Sequence, residues 1–315
     1  MSGFARAPVR RPLAARPAPP RPTRSIPKPS PLYVDRNIIV CDKPPGLVSQ
    51  PNSSHIQVQS PGEAFLGPVL LGLKKRFGLH ELPYPVHRLD KGTTGVLVFA
   101  KSQQVAKGLS QSFSTHSVGK TYLALARGGE KTFPTRMGDI AEDLRFDDGR
   151  VSLASGKSAS GKNAQVESQV KAASTHWELL TSSGKAPLSL LKLEPRTGLK
   201  HQLRVHLASV LKAPILGDAL YGSSKIAPAI DTVAKVPEDR MFLHAASISL
   251  MRYRRTGGRK QLQLTIMAPL PKDFVDICVH AGIELDQDFV RGGVFVDGER
   301  MVDGLVPDLD GEWCL

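Results

Sequence analysis

The sequence lacks several features that define large classes of proteins. It has three cysteines in 315 residues, and an odd number placed far apart argues against a disulfide framework and against a cysteine-rich zinc site. No apolar run approaches the roughly 18–20 residues of a membrane-spanning helix. The glycine-rich patterns GxGxxG and GxxxxGK[ST] and the metal-binding pattern HExxH are also missing. We therefore expect no membrane span, no nucleotide cofactor and no catalytic metal.

Acidic residues are few, and the first 30 residues contain none. The chain has 42 Lys and Arg against 29 Asp and Glu, a formal net charge of +13. Seven of the basic residues lie in that first stretch, whose many prolines prevent a continuous helix. A surplus of this size favours a polyanionic partner. The stretch 1–31 is predicted to be either a transit peptide or a disordered basic arm.

Hydrophobic residues make up 41% of the chain, which is enough for a packed core. Strand candidates outnumber helix candidates. The predicted strands are 32–34, 38–41, 96–100, 121–126, 177–180, 188–193, 242–250 and 262–267. The predicted helices lie within 64–77, after Ser102, at 201–211 and at 274–281, and we expect a surface loop at 50–62 and mainly loops, with a short hairpin, at 128–163. Without regular βαβ alternation, this predicts an α+β fold with a mixed, mainly antiparallel sheet flanked by helices and loops.

Asp90 is the first candidate for chemistry. It stands in the segment HRLDKGTTG (87–95), directly before the apolar strand 96–100. A carboxylate in a glycine-bounded loop at a strand start can be held rigidly and still be reached. Its basic neighbours Arg88 and Lys91 favour the ionised form, which can act as a nucleophile or a base. An Asp that caps its own turn would show the same local pattern.

A second basic segment, residues 196–207, carries five basic or imidazole side chains at a predicted helix start. Leu203 and Leu207 would anchor this helix. Lys200 and Arg204 are one helical turn apart and are predicted to share a face that could hold a carboxylate and a phosphate. A solvated basic helix would read the same way.

Together these segments resemble the RluA-type pseudouridine synthases. The family signature around its catalytic aspartate stands here as HRLDKGTTGVLVFAK (87–101). Further family-like segments follow in the same order across residues 32–275. They are YVDRNIIVCDKPPGLVSQP (33–51), KTYLALARG (120–128), TGLKHQLRVHL (197–207), LGDALYG (216–222), MFLHAASISL (241–250) and APLPKDF (268–274). One departure is Leu199, which stands where the family usually has Arg.

The resemblance implies an isomerase that converts uridine in RNA to pseudouridine without a cofactor or a metal. Asp90 would be the essential nucleophile or base, Arg204 its charged partner, and Tyr122 the residue over the uracil face. Arg88 would fill the space left in the RNA by the flipped uridine, Leu203 would wall the pocket, and Lys200 would bind substrate. A glycoside hydrolase needs two carboxylates, and no second acid is expected beside Asp90.

The resemblance also implies a partner and a division of the chain. We expect RNA as the partner, rRNA first and tRNA second, no membrane, and a monomer. The transit-like start favours mitochondria, with the cytoplasm or nucleus as the alternative. The predicted divisions are the arm 1–31, a catalytic domain 32–285 and a C-terminal extension 286–315. A catalytically silent RNA-binding or ribosome-assembly factor on the same fold is the alternative function.

Overall fold

In a computed structural model, the structure describes residues 28–49, 64–147, 149–155, 168–223, 225–254, 258 and 260–315. The basic arm up to residue 27 and the loop expected at 50–62 lie outside these ranges. None of the helices within them is long and apolar enough to cross a lipid bilayer.

Strands dominate the secondary structure. They are β1 (Ser30–Val34), β2 (Ile38–Lys43), β3 (Leu47–Val48), β4 (Ala64–Phe65), β5 (Tyr84–Pro85), β6 (Thr94–Ala100), β7 (Gly119–Arg127), β8 (Met137–Ile140), β9 (Leu144–Asp147) and β10 (Arg150–Leu153). They continue with β11 (Gln169–Lys171), β12 (Thr175–Ser182), β13 (Leu188–Pro195), β14 (Leu243–Tyr253), β15 (Gln261–Met267), β16 (Gly293–Val296), β17 (Glu299–Arg300), β18 (Leu305–Val306) and β19 (Gly311–Trp313).

Fewer residues form helices. The α-helices are α1 (Leu66–Arg76), α2 (Gln103–Ser114), α3 (Gln202–Val205), α4 (Pro228–Val233), α5 (Lys272–Ala281) and α6 (Gln287–Arg291). A π-helical turn, His206–Val210, continues α3. Helix α2 begins as its sequence predicts, because the side chain of Ser102 accepts a hydrogen bond from the Val105 N–H.

One large sheet runs through the molecule in the order β18-β19-β1-β2-β6-β14-β7-β13-β12-β8, and β15, β16 and β17 extend it from β14. Its neighbours pair antiparallel except for the short parallel contact of β6 with β14. Strands β10, β9 and β11 form a separate small sheet. The α+β class with a mixed, mainly antiparallel sheet is confirmed.

The sheet is buried along its centre because its strands are apolar on both sides. Every residue of β6 is buried, as expected of the run 96–100. Helix α2 packs against one side of it. On the other side of the sheet, the apolar side chains of the segment 203–211 pack against β7, β12 and β13. This packing brings the start of β6, the middle of β7 and helix α3 to one place.

The described parts of the segment 128–163, residues 128–147 and 149–155, are more regular than their composition predicts. The hairpin of β9 and β10 is present as expected, but β8 is a full member of the large sheet and pairs with β12. Its short sequence Met-Gly-Asp-Ile shows no alternation, so only the pairing with a neighbouring strand makes it extended.

Candidate active site

Asp90 lies in the loop between β5 and β6. Two buried side chains, Lys43 and Ser49, form hydrogen bonds with the backbone of this loop. The Lys43 ammonium donates hydrogen bonds to the carbonyls of Thr93 (2.7 Å), Lys91 (3.1 Å) and Pro44 (3.1 Å). The Ser49 hydroxyl bonds both the carbonyl and the N–H of Leu89, at 2.6 and 3.0 Å. The backbone on both sides of Asp90 is therefore fixed, while its side chain keeps 18% of its surface exposed.

Arg204 pairs with Asp90, as the family resemblance implies. Its Nη1 lies 3.4 Å from Asp90 Oδ2. The same guanidinium is held more tightly by Asp218, through Nε at 2.7 Å and Nη2 at 2.8 Å. Burial alone would lower the pKa of Arg204, but the bonds to Asp218 and the charge of Asp90 raise it, so the group stays charged.

Asp218 corrects the expectation that no second acid stands beside Asp90. It is only 1% exposed, and it also accepts the N–H groups of Leu220 and Tyr221. Burial opposes its charge, yet the Arg204 bonds lower the pKa of Asp218 below its usual value. An acid kept ionised in this way cannot donate the proton that a glycoside hydrolase requires. Asp218 therefore orients Arg204 and leaves Asp90 as the reachable carboxylate.

The predicted common face of Lys200 and Arg204 is wrong. Helix α3 begins at Gln202, and His201 takes the left-handed conformation at φ 56°, so Lys200 lies outside the helix. The Lys200 ammonium instead donates to the Gly149 carbonyl in the β9–β10 turn, at 2.8 Å. Both side chains nevertheless line one cavity.

This cavity has a volume of about 420 Å³, within the range of about 300–1,000 Å³ typical of small-ligand pockets. Its lining includes all six residues singled out from the sequence. They are Arg88, Asp90, Tyr122, Lys200, Leu203 and Arg204. The end of α2, the loop before β6 and the segment 195–204 surround it.

Tyr122 lies in the middle of β7 and is only partly buried. Its side chain lines the cavity and packs against two hydrophobic clusters of the core. Burial, and then the charge of Asp90, raises the pKa of Tyr122 above its ordinary value. Its hydroxyl therefore stays protonated at neutral pH. Leu203 is 7% exposed and forms part of the apolar wall. Arg88 is exposed at the cavity's edge.

His87 is the first residue of the family-like signature, but its contacts are structural. Its ring stacks on Phe113 of α2 with the centroids 4.7 Å apart, and its Nε2 accepts the Val98 N–H at 2.9 Å. Burial lowers the pKa of His87 to about 3, so the ring is neutral. It fastens the loop before β6 to both β6 and α2.

Lys43 and Asp218 are parts of the site that the sequence patterns did not indicate. Both stand in segments quoted for the resemblance, Lys43 before the Pro-Pro-Gly turn and Asp218 in LGDALYG. What could have indicated them is that each is a charged residue close to apolar residues, because a charged side chain is costly to bury without a partner. Local sequence cannot show which loop or guanidinium each one meets.

Comparison with known proteins agrees with this geometry. A family model described as RNA pseudouridylate synthase matches residues 37–209, more than half of the chain. An uncharacterised RNA pseudouridine synthase of Zymomonas mobilis is 33% identical over 247 residues, covering 78% of this chain and 95% of that protein. The ribosomal large subunit pseudouridine synthase D of Borreliella burgdorferi is 36% identical over 192 residues, covering 61% of this chain and 54% of that protein.

A human protein gives both a sequence and a structural match. Pseudouridylate synthase RPUSD4, mitochondrial, is 30% identical over 278 residues, covering 78% of this chain and 67% of that protein. The solved structure of human RNA pseudouridylate synthase domain containing 4 aligns with a TM-score of 0.60 at 27% identity, covering 81% of this chain and 94% of that one. The chain belongs to the RluA-type RNA pseudouridine synthases, which are RNA isomerases.

Proposed function

We propose that this enzyme isomerises specific uridines in structured RNA, rRNA first, with Asp90 as the reacting carboxylate. The observation that carries the proposal is the Asp90–Arg204 pair, 3.4 Å apart, in a cavity that Tyr122 and Leu203 also line. The carboxylate is fixed by its backbone and held by a guanidinium that Asp218 orients. Such preorganisation is what a positioned nucleophile or base requires.

Each side chain in the cavity then has a distinct role. Asp90 acts on the sugar or the uracil as the glycosidic C1′–N1 bond breaks and the C1′–C5 bond forms, after which C5 loses its hydrogen as a proton and N1 gains a proton. Tyr122 lies over the uracil face, and Leu203 closes the apolar side. A stacked base cannot reach this cavity, so the uridine must flip out, and exposed Arg88 fills the gap it leaves. The reaction rearranges one nucleotide without gain or loss of atoms or electrons, so it requires no oxidant or reductant.

The choice of RNA and compartment rests on the relatives' names and on composition. The Borreliella relative is named for the ribosomal large subunit, and the human relative is named mitochondrial. The acid-free, Arg-rich first 30 residues fit the same compartment. We therefore place rRNA before tRNA and mitochondria before cytoplasm or nucleus, and we propose that the enzyme acts as a monomer.

The decisive experiment maps pseudouridines across mitochondrial and cytoplasmic RNA in cells that lack the native gene. The cells carry wild type, Asp90→Asn or the matched exposed control Asp239→Asn. Asp90→Asn removes a charge but little volume, so we expect it to bind RNA while losing one or a few pseudouridines. Asp239→Asn should leave the map unchanged.

The same map decides between the enzyme and a silent RNA-binding factor. If Asp90→Asn restores every site that wild type restores, the role of Asp90 is wrong. If wild type itself restores no site but binds RNA, the chain is the silent factor. The position of each restored site also identifies the RNA and its compartment.

A further inference from the structure

His201 lies between Asp90 and a tyrosine that the sequence analysis did not single out. Its Nε2 is 3.9 Å from Asp90 Oδ2, and its Nδ1 is 2.9 Å from the Tyr221 hydroxyl. The two rings meet edge to face with their centroids 5.6 Å apart. The imidazole is thus held on one side and faces the proposed reacting carboxylate on the other.

The contacts of Tyr221 determine which ring nitrogen of His201 carries the proton. Burial raises the pKa of Tyr221 to about 12, so the phenol keeps its hydrogen at neutral pH. A protonated phenol has a hydrogen that it can donate to His201 Nδ1, 2.9 Å away, which then acts as the acceptor. The neutral imidazole then carries its proton on Nε2, which points toward Asp90.

The charges around the ring agree with a neutral imidazole. Burial is the largest influence and lowers the pKa of His201, Asp90 and Asp218 act to raise it, and Arg204 and Lys200 act to lower it. The ring is therefore a neutral donor toward Asp90, while Arg204 supplies the positive charge.

The backbone at His201 is held in a conformation that few side chains adopt. Its φ of 56° is left-handed, which costs a histidine free energy unless its surroundings enforce it. The next residue enforces it, because the Gln202 side chain bonds the Thr197 hydroxyl, the Leu199 N–H and the Ser174 carbonyl at 2.8–3.1 Å. This unfavourable backbone directs the imidazole toward the cavity and away from the helix.

We propose that His201 is a positioning residue for Asp90. Its Nε2–H holds the carboxylate in the orientation for reaction, and Tyr221 fixes the tautomer that makes this possible. The 3.9 Å separation is longer than a hydrogen bond, and such contacts often shorten only when substrate fills the site. Val151 of β10 and Tyr221 belong to one apolar cluster, so the small sheet β10-β9-β11 packs against this pair.

Two substitutions separate this role from a structural one. In His201→Asn, the amide replaces Nδ1 and can still bond Tyr221, but no atom remains at the Nε2 position. In His201→Gln, the longer amide can donate from the Nε2 position. Because Asn tolerates a left-handed φ better than Gln does, the Asn variant should be the more stable of the two.

We expect stability and activity to change in opposite directions. His201→Asn should lower kcat about 10- to 100-fold, the loss of a hydrogen bond to a charged group, with KM and melting temperature unchanged. His201→Gln should recover most of the activity in spite of a lower melting temperature. The assay uses a transcript that carries a uridine mapped as a target. Equal kcat for wild type and His201→Asn, or activity that follows melting temperature, would overturn the proposal.

A second measurement does not depend on turnover. Nitrogen-15 NMR of the labelled enzyme should show the His201 ring protonated on Nε2 and bare on Nδ1, with His201→Gln identifying the signal and Tyr221→Phe releasing the tautomer. A ring protonated on Nδ1 would refute the role. The inference rests on the proposed role of Asp90, and the failures are distinguishable, because an inactive wild type defeats the proposed function whereas an active His201→Asn defeats only this inference.

Discussion

Lys43 carries an ammonium group into a fully buried place beneath the Asp90 loop. Three backbone carbonyls accept from it, which matches the three donors of an ammonium group. Burial lowers the pKa of Lys43 from its ordinary 10.5 to about 7, although the charge of Asp90 acts to raise it. Lys43 therefore contributes both to the stability of the fold and to the position of Asp90.

Replacing Lys43 with Met tests this connection. The change removes the donor shared by three carbonyls, so we expect it to destabilise the fold by about 1–3 kcal/mol at neutral pH and to lower kcat. Chemical denaturation and turnover measure the two effects. Lys107→Met, on the exposed side of α2, is the matched control and should change neither.

The pH dependence of folding stability tests the lowered pKa of Lys43. Between about pH 7 and pH 10.5 the unfolded chain holds the proton that folded Lys43 releases, so the contribution of Lys43 to stability should rise with pH in this window. Lys43→Met lacks this group, and the stability difference between wild type and the variant should grow by a few kcal/mol. A difference that stays constant from pH 7 to pH 10 would contradict the lowered pKa.

At the scale of elements, the parallel contact of β6 with β14 sets where the Asp90 loop ends. Gly95 opposes Ala245 in this contact. Its φ is +105°, and a Cβ there would lie 2.2 Å from the Ala245 carbonyl oxygen. Only glycine permits both the conformation and the approach of the two backbones.

Gly95→Ala should therefore destabilise the protein strongly, and any folded fraction should lose activity, because the strand start that carries Asp90 must move. We expect a loss of at least about 2–3 kcal/mol, typical of strain combined with a steric clash. Thermal unfolding and turnover measure it. The control is Gly108→Ala in α2, where a Cβ meets nothing within 4 Å and stability should rise by about 0.5–1 kcal/mol. Similar melting temperatures for the two variants would show that the Gly95–Ala245 contact can accommodate a methyl group, and would contradict this prediction.

Much at this scale could be predicted from sequence. The strand at 96–100, the Ser102 cap and the strands at 177–180 and 188–193 follow from local patterns, and the structure confirms them. The interrupted start of α3 did not follow, because the left-handed His201 depends on bonds that Gln202 makes to distant residues. Asp90 and Arg204 were paired through the family resemblance, whereas Asp218 required the three-dimensional contact.

At the scale of the whole molecule, the segment set apart as a C-terminal extension contributes strands to one end of the large sheet and to the branch that leaves it at β14. β19 pairs with β1, and β16 pairs with β15. Leu309 and Val294 are buried in the same cluster as Leu32 and Tyr33. We propose that residues 286–315 complete the catalytic domain, since without them both β1 and β15 would expose an unpaired edge.

Leu309→Ala tests this proposal in the full chain. Leu309 is 0% exposed, so its truncation should cost about 2–5 kcal/mol through lost burial and the cavity left behind. Val302, which is 95% exposed, supplies the control Val302→Ala, and its melting temperature should match wild type. If the segment completes the domain, Leu309→Ala should lower the single unfolding transition, and activity should disappear at that lower temperature. A separate early transition, with activity persisting to the wild-type temperature, would mean that the segment folds as an independent appendage.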